Sequence, residues 1–225
     1  MATGFKVLKR KNAVSSELVR RFARLPVANV SDSMWRLTAG GARLRPLHAG
    51  GTLAGAAITV KSCPGDNLMA HMALNIAGEG DVIVIDAGGD LTNAIIGERM
   101  IAYCVAKKFA GIVVNGAIRD LGWVKNQHFP VYAAGITHRG PYKNGPGEIN
   151  VPVAIDGMVI EPGDLILGDD DGLLCVPLGQ AEQVYKLALK KYEEESSTFD
   201  QIGKSDNQEA KYRKLLLELG CEFEE

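Results

Sequence analysis

Three short apolar runs, separated by helical patterns and turn residues, constrain the fold of this chain most. They occupy residues 53–60, 82–85 and 112–114. Each run has the length and composition of a strand that is buried on both faces. Because strand–helix–strand units close with a right-handed crossover, the runs predict a locally parallel sheet. Functional groups should then collect in the loops that follow the carboxyl ends of these strands, at 88–90 and 115–120.

The helices are predicted from apolar spacing and from capping residues. A first helix should follow the N-cap Ser15 or Ser16, and a short second helix should begin near Ser31. A third is expected over 68–77, with Asp66 or Asn67 as its cap. A long helical pattern opens at Thr92 and runs through Lys108, but Gly97 interrupts it and could delay the regular helix to that point.

The second half of the chain has the rhythm of antiparallel structure, because short apolar runs alternate with Gly, Pro and Asp turns. The predicted strands are 131–134, 151–155, 158–160, 165–167 and 173–176. A charged helix over 179–195, a polar linker over 196–206 and a final helix over 207–219 follow. We therefore expect one α/β domain over 1–195, followed by a polar linker and C-terminal helix over 196–225.

Charge and cysteine usage exclude several classes of function. The formal net charge is -2, which gives no electrostatic reason to expect a nucleic-acid partner. No apolar run approaches the roughly 20 residues that cross a bilayer, and the first twelve residues lack the apolar segment of a signal peptide. The four cysteines are scattered without a close pair, as in reduced cytosolic proteins. We expect a cytoplasmic protein with no membrane partner.

The strongest candidate for a catalytic or binding site is the pair Arg119–Asp120, which lies at the end of a predicted strand. The arginine offers a planar fork that matches a substrate carboxylate or enolate. The aspartate offers a hard oxygen ligand for Mg²⁺ or Mn²⁺. The same pair also occurs as a surface ion pair or a helix cap, and the local sequence leaves both interpretations open.

Two further segments are candidates for the walls of the same site. If a helix begins near Gly97, its free N–H groups can hold a carboxylate and Glu98 lies nearby; otherwise Glu98 is an ordinary exposed residue. The segment 63–67 is either a third wall or simply a turn and helix cap. The four histidines show no zinc-ligand spacing and are interpreted as surface or core residues.

Taken together, these segments resemble the RraA-like family, which includes class II 4-hydroxy-4-methyl-2-oxoglutarate/4-carboxy-4-hydroxy-2-oxoadipate aldolases and regulators of ribonuclease activity. The segments that carry the resemblance are 63–67, 80–86, 97–98, 111–120, 151–153 and 162–164. The resemblance extends over about residues 25–180. It implies a compact α/β sandwich of the RraA-like type with a helical C-terminal extension, assembled as a homotrimer or a dimer of trimers with sites between subunits.

The resemblance also implies a set of site residues. The family's aldolases carry an acid, twenty intervening residues and then Arg-Asp, which corresponds here to Glu98, Arg119 and Asp120. By this resemblance Asp120 binds the divalent metal ion, Arg119 grips the pyruvyl group, and Gly97, Glu98, Arg99 and Met100 contact the substrate. Glu98 stands at a position where family aldolases have an aspartate. Asn115 stands at another position where an aspartate is common in the family.

Family aldolases also borrow an acid from the C-terminal region of a neighbouring subunit, and Glu193, Glu194 and Glu195 lie in that part of this chain. The activity implied is retro-aldol cleavage of a 4-hydroxy-2-oxo acid to pyruvate, with Mg²⁺ or Mn²⁺ as cofactor. Oxaloacetate decarboxylation passes through the same enolate. The alternatives are a non-catalytic binding protein that regulates a ribonuclease and a metal-dependent lyase with an unrelated substrate.

Overall fold

The computed structural model describes residues 3–37, 42–199 and 208–223. The strands in these ranges are β1 (Phe5–Val7), β2 (Arg45–Pro46), β3 (Leu53–Ser62), β4 (Asp81–Asp86), β5 (Ala94–Ile96), β6 (Gly111–Ile118), β7 (Val131–Ile136), β8 (Gly147–Ile149), β9 (Val153–Ile155), β10 (Met158–Ile160), β11 (Leu165–Asp169) and β12 (Gly172–Val176). The helices are α1 (Ser16–Phe22), α2 (Val27–Ser33), α3 (Leu68–Ile76), α4 (Glu98–Ala106), α5 (Leu121–Val124), α6 (Ala181–Phe199) and α7 (Gln208–Glu218), with a 3₁₀ turn at Leu178–Gln180.

One mixed sheet organises the fold. Its strand order is β1-β8-β3-β4-β6-β7-β2, while β11 joins β3 to β12 and β5 pairs with β6. The central pairs β3–β4, β4–β6 and β6–β7 are parallel, which confirms the crossovers predicted through α3 and α4. The pairs β9–β10 and β11–β12 are antiparallel, as the turn-rich second half predicted. The prediction was wrong for residues 131–134, because β7 pairs parallel with β6. The mixed α/β class with a C-terminal helix is therefore confirmed.

The central strands are apolar throughout because both of their faces are buried. Ile83 and Val114 point into a cluster that includes the buried side chains of α3 and α4. Val82 and Val113, one position along, point into a second cluster that holds the β9–β10 hairpin. Successive side chains of a strand alternate between faces, so a strand covered on both sides reads as a continuous apolar run. A third cluster packs α1, α2 and α6 together.

The second helix was placed wrongly by sequence analysis. It begins at Val27, not near Ser31, because the Val27 N–H donates to Asp169 Oδ2 at 3.0 Å and this carboxylate acts as a distant cap. The helix ends at Ser33, since Trp35 and Arg36 follow with φ values of 58° and 61° in the left-handed region. The C-terminal half of the predicted segment is therefore not helical.

The pattern that opens at Thr92 is also not one helix. Residues 94–96 form β5, whose first N–H donates to the Arg139 carbonyl at 2.8 Å and which pairs with β6. The helix begins at Glu98, so the alternative in which Gly97 delays its start is confirmed. The apolar residues 94–96 fit both the helical and the strand period, and pairing with β6 makes them a strand.

The C-terminal region differs from its prediction in one boundary. Helix α6 continues to Phe199, so residues 196–199, predicted as linker, are helical. The remainder of that predicted linker, 200–206, lies outside the described residues. Helix α7 confirms the final helix, whereas the single domain over 1–195 stays a prediction. In the described ranges no helix is long and apolar enough to cross a membrane.

Candidate functional site

The end of β6 positions the two residues that sequence analysis singled out. The Arg119 N–H donates to the Ile96 carbonyl at 3.0 Å, which fixes the chain as it leaves the sheet. Asp120 then adopts a left-handed backbone conformation, with φ 60° and ψ 36°, and serves as the N-cap position of α5. The turn leaves both side chains partly exposed, at 43% for Arg119 and 35% for Asp120, so both can reach a ligand.

The Asp120 carboxylate also contacts the start of α4. Its Oδ2 accepts the Glu98 N–H at 3.0 Å and lies 3.5 Å from Arg119 Nε. The N-cap of α4 is Gly97, which has no side chain to satisfy this N–H, and Asp120 supplies the missing cap. A Cβ atom on Gly97 would collide with Asp120 Oδ2 and Arg119 Cγ. Glycine at position 97 is therefore what allows the two segments to meet.

These segments form one end of a cavity of about 530 Å³. Five of the six predicted site residues line it: Gly97, Arg99, Met100, Arg119 and Asp120. Glu98 contributes its backbone N–H to the architecture, but its exposed side chain is not among the lining residues. A second hollow of about 290 Å³ shares Arg119 and Asp120 with the first and adds 136–138. The loop 88–90 lines neither hollow.

The opposite wall of the cavity was only partly predicted. Asn67 lines it, so the segment 63–67 does form a third wall, although Asp66 is the residue whose side chain caps α3 through the Leu68 N–H at 2.9 Å. His71 and Asn75, which follow at positions four and eight from Asn67, also line the cavity. This helical spacing of polar residues was the available signal, and interpreting His71 as a surface or core residue was incomplete.

Asn67 is held rigidly at the base of this wall. Its side chain is only 3% exposed, and its Nδ2 donates to the Ile95 carbonyl at 2.9 Å. Its Oδ1 is buried and accepts no hydrogen bond from the described chain. Asn115, by contrast, is tied to the sheet edge, where its Nδ2 donates to Asp86 Oδ1 at 2.8 Å, and it does not line the cavity.

The electrostatic character of the cavity is mainly basic. Arg99, Arg119 and Lys143 line it, and Asp120 is the one carboxylate among its described lining residues. Partial burial lowers the pKa of His71, and the positive charge of Lys143 lowers it further. A small anionic ligand suits this lining because it would pair with the guanidinium groups and relieve the repulsion between cations.

Asp120 is also the residue whose chemistry fits a hard divalent cation. Within residues 3–37, 42–199 and 208–223, no three His, Cys, Asp or Glu side chains cluster as a ready-made cage. Mg²⁺ keeps several waters and takes one or two protein carboxylates. A single partly exposed carboxylate at one end of a cavity lined mainly by cations is compatible with that coordination. The residues present therefore fit a mostly hydrated ion of this type.

A second cluster of charged groups joins α2 to the C-terminal end of α6. Asn29 Nδ2 donates to Glu195 Oε2 at 2.6 Å, and Lys191 Nζ lies 3.2 Å from Glu195 and from Asp32. The hydrogen bond from Asn29 and the Lys191 ammonium lower the pKa of Glu195. A hollow of about 400 Å³ lies here, lined in part by Tyr192 and Glu195. Of the three candidate glutamates, Glu195 is thus the one held in a fixed position.

The cysteines do not take part in the site as nucleophiles. All four are free thiols, as their scattered positions predicted. Cys104 lies in α4 near the cavity, but burial raises its pKa to about 12, so it carries no thiolate at neutral pH. Burial together with Asp164 raises the pKa of Cys175 as well.

Comparison with known proteins identifies the family. The family model described as "RraA-like: Aldolase/RraA" matches residues 27–175. The chain belongs to the RraA-like family. The matched range contains Asn67, Glu98, Arg119 and Asp120, so the cavity is built within the family's common region. Glu195 and α7 lie beyond it.

Three relatives show how the names within this family differ. A protein of Halalkalibacterium halodurans named "Putative 4-hydroxy-4-methyl-2-oxoglutarate aldolase" is 41% identical over 78% of this chain and 83% of its own. A 4-hydroxy-4-methyl-2-oxoglutarate aldolase of Thermus thermophilus is 35% identical over 50% of this chain and 68% of its own. The crystal structure of Streptomyces coelicolor RraAS2, described as an unusual member of the RNase ES inhibitor RraA family, superimposes with a TM-score of 0.74 at 28% identity, covering 83% and 98%.

Proposed function

We propose that this RraA-like protein is a metal-dependent aldolase that cleaves a 4-hydroxy-2-oxo acid and releases pyruvate. The observation that carries the proposal is the placement of Arg119 and Asp120 side by side at one end of a basic cavity. The aldolase names of two relatives support the same reaction class. A substrate with a carboxylate and a neighbouring oxo group matches a guanidinium beside a carboxylate that can hold a cation.

Arg119 binds the pyruvyl end of the substrate in this proposal. Its Nε lies toward Asp120, at 3.5 Å from Oδ2, which leaves the terminal nitrogens of the fork to pair with an anion. A charge-assisted pair of this kind orients the substrate and strengthens as negative charge develops on the oxo oxygen. Arg119 therefore acts both in binding and in stabilising the enolate that cleavage produces.

Asp120 holds the divalent ion, Mg²⁺ or Mn²⁺. Such an ion supplies Lewis acidity at the 2-oxo group, which favours the enolate. Asp120 is suited to this role because the Glu98 N–H and Arg119 fix its Oδ2, so the orientation of the carboxylate is set before any ligand arrives. The left-handed backbone at this position fixes the direction of the side chain further.

The reaction needs a group that moves a proton, and we assign this role to Glu98 acting through a water. The C4 hydroxyl loses its proton, the C3–C4 bond breaks, and the bonding electron pair forms the enolate of pyruvate. A proton delivered to C3 then yields pyruvate, and the other fragment leaves as a carbonyl compound. The exposed Glu98 carboxylate stands beside the cavity wall formed by Gly97 and Arg99, and such a carboxylate can relay a proton through one water.

Glu195 is our candidate for the acid that a neighbouring subunit lends to the site. Asn29 and Lys191 hold its carboxylate in place, whereas the Glu194 carboxylate is paired with Lys190 at 3.7 Å on an open surface. A fixed carboxylate costs less conformational entropy to present to a partner than a free one does. This assignment requires a homotrimer or a dimer of trimers in which the end of α6 approaches the cavity of the next copy.

A panel of 2-oxo acids tests the proposal. Pyruvate release is measured from 4-hydroxy-2-oxo acids and from oxaloacetate, which reaches the same enolate by losing CO₂. The assay is run with added Mg²⁺ or Mn²⁺ and after EDTA treatment. We expect release that EDTA abolishes and either metal restores. Absence of metal-stimulated release from every member of the panel would falsify the proposal.

The second candidate is a binding protein that regulates a ribonuclease, which the likeness to RraAS2 favours. A shared fold does not decide between the two functions. The intact set of Glu98, Arg119 and Asp120 favours the enzyme, because a purely binding role has no need for a carboxylate and a guanidinium fixed together in a cavity. Inhibition of a purified ribonuclease by a protein that fails the whole panel would reverse this preference.

A further inference from the structure

We propose that α7 pairs with α7 of a second copy of this chain, in an antiparallel arrangement around a two-fold axis. Residues 209–223, which include most of this helix, are all exposed. Six large apolar side chains are among them: Tyr212, Leu215, Leu216, Leu217, Leu219 and Phe223. A helix this rich in exposed leucine is typical of an interaction surface.

Four of these side chains form one stripe. Tyr212, Leu215, Leu216 and Leu219 stand at positions i, i+3, i+4 and i+7, which share a face of an α-helix. Their exposures are 53%, 48%, 41% and 76%. Leu217 falls on the opposite side of the helix, because it follows Leu216 by one residue and about 100°. The stripe therefore has a defined centre, between Leu215 and Leu216.

Helix α7 ends in a regular C-capping motif, but it is too short to be stable alone. Gly220 takes a left-handed φ of 84°, its N–H donates to the Leu217 carbonyl at 3.0 Å, and the Cys221 N–H donates to the Leu216 carbonyl at 2.9 Å. These two bonds make a Schellman motif, which satisfies the last carbonyls. Isolated helices shorter than about 12 residues are marginal in water, and α7 has 11. A partner that packs on the stripe would supply the stability that the isolated helix lacks.

The spacing of the stripe indicates what that partner is. Read in either direction, the spacings are three, one and three residues. An antiparallel copy of the same helix therefore presents the same stripe, with Tyr212 opposite Leu219 of the second copy and Leu215 opposite Leu216 of the second copy. A two-fold axis that passes between these leucines makes the contact self-complementary, as in other isologous interfaces.

The charges beside the stripe favour the same orientation. Lys211 and Glu218 are seven residues apart and therefore lie on one flank of the stripe. An antiparallel partner brings Lys211 close to Glu218 of the second copy, and the symmetry makes this contact twice. A parallel partner would instead bring the flank that carries Lys211 against the flank of the second copy that carries Arg213, which places like charges together and is unfavourable. Arg213 lies on the other flank, where its guanidinium stacks on the Phe223 ring at 4.2 Å.

The mass of the full-length protein in solution, measured by light scattering, tests the contact. Leu216→Glu places a charge at the centre of the stripe, and we expect it to halve the mass of the wild-type assembly at micromolar concentration. Leu217→Glu makes the same chemical change on the opposite side of the helix and should leave the mass unchanged. Equal masses for the wild type and Leu216→Glu overturn the proposal. So does a loss of mass with Leu217→Glu that matches that with Leu216→Glu.

Charge reversal tests the orientation. Lys211→Glu and Glu218→Lys each place like charges across the antiparallel contact, so each alone should shift dissociation to higher protein concentration. The double variant restores opposite charges and should recover the wild-type mass. Failure of the double variant to recover overturns the antiparallel pairing. A lower melting temperature for Leu216→Glu at unchanged mass overturns pairing altogether, because the helix then packs on its own chain.

Discussion

The Asp120 carboxylate accepts the backbone N–H of Glu98, with 3.0 Å between Oδ2 and the amide nitrogen, although the two residues are 22 apart in sequence. This bond joins the end of β6 to the start of α4. Arg119, which follows β6, lines the same cavity as Arg99 and Met100, which lie in the first turn of α4. The cap and the proposed metal ligand are therefore the same side chain, and the two roles can be separated by substitution.

Asp120→Asn should retain the hydrogen bond that caps α4 but lose the bound divalent cation. The amide oxygen can still accept the Glu98 N–H, and asparagine tolerates the left-handed backbone. We expect an unchanged melting temperature in EDTA, weaker Mg²⁺ binding by calorimetry and strongly reduced pyruvate release. Asp120→Ala removes the acceptor as well and should destabilise the fold by about 1 kcal/mol. Full activity of Asp120→Asn that still depends on added Mg²⁺ would place the metal elsewhere, and full activity in EDTA would remove the metal from the reaction.

Arg119→Lys should lose most of the activity in a folded protein. Lysine keeps the charge but has no planar fork for a carboxylate, and the loss of one charge-assisted hydrogen bond of about 1.5–3 kcal/mol corresponds to a decrease of roughly 10- to 100-fold in kcat/KM. Arg139→Lys, at an exposed position, is the matched control and should be neutral. Near-normal turnover by Arg119→Lys would make Arg119 a structural ion-pair partner of Asp120.

Gly97→Ala should distort the site by steric overlap, without removing any functional group. The added methyl group would collide with Asp120 Oδ2 and Arg119 Cγ, and such overpacking costs typically about 1–3 kcal/mol. Lower activity and a lower melting temperature are the expected results. Gly122→Ala is the control in the neighbouring α5, where an added Cβ meets nothing within 4 Å. Equal behaviour of the two variants would show that the Gly97 contact is easily relieved.

Glu195→Gln should weaken the activity of the assembled protein if this side chain completes a neighbouring site. Glu193→Gln is the matched control on the same helix. Metal affinity and kcat/KM are measured for both variants, together with the mass in solution, because loss of assembly would also remove activity. Activity of Glu195→Gln equal to that of Glu193→Gln, at wild-type mass, would remove Glu195 from the site.

The pKa of His71 should respond to Lys143. Burial and this ammonium group lower the pKa in the folded protein, so the unfolded chain binds the proton more readily. Stability is therefore present above the ordinary histidine pKa of about 6.5 and falls as the pH drops below it. Lys143→Gln should raise the His71 pKa, as followed by NMR titration of its ring protons, whereas Lys186→Gln on α6 should not. A pKa insensitive to Lys143→Gln would leave burial as the cause.

Local patterns predicted the parallel strands and the position of Arg119–Asp120 at a strand end, because apolar period and turn residues encode these features directly. They offered a helix start delayed to Gly97 as one of two alternatives, and α4 begins at Glu98. They missed interactions between residues distant in sequence. Asp169 caps α2 from 142 residues away, and the Arg139 carbonyl helps to hold residues 94–96 as a strand. Lys143 reaches the cavity from a loop without regular structure, and no sequence pattern marks that approach.

The buried Oδ1 of Asn67 is a hydrogen-bond acceptor that the described residues leave unused, in a residue that lines the cavity. This oxygen accepts no hydrogen bond from the described chain, and an unmatched buried acceptor costs about 1–3 kcal/mol. A ligand that brings a hydroxyl group to this point removes that cost, whereas the deoxy analogue of the same ligand cannot. We therefore expect a hydroxylated acid that gains access to this oxygen to bind roughly tenfold or more tightly than its deoxy analogue. Competition between such a pair of acids for the cavity measures the selectivity directly, and its absence in Asn67→Leu would trace it to a single oxygen atom.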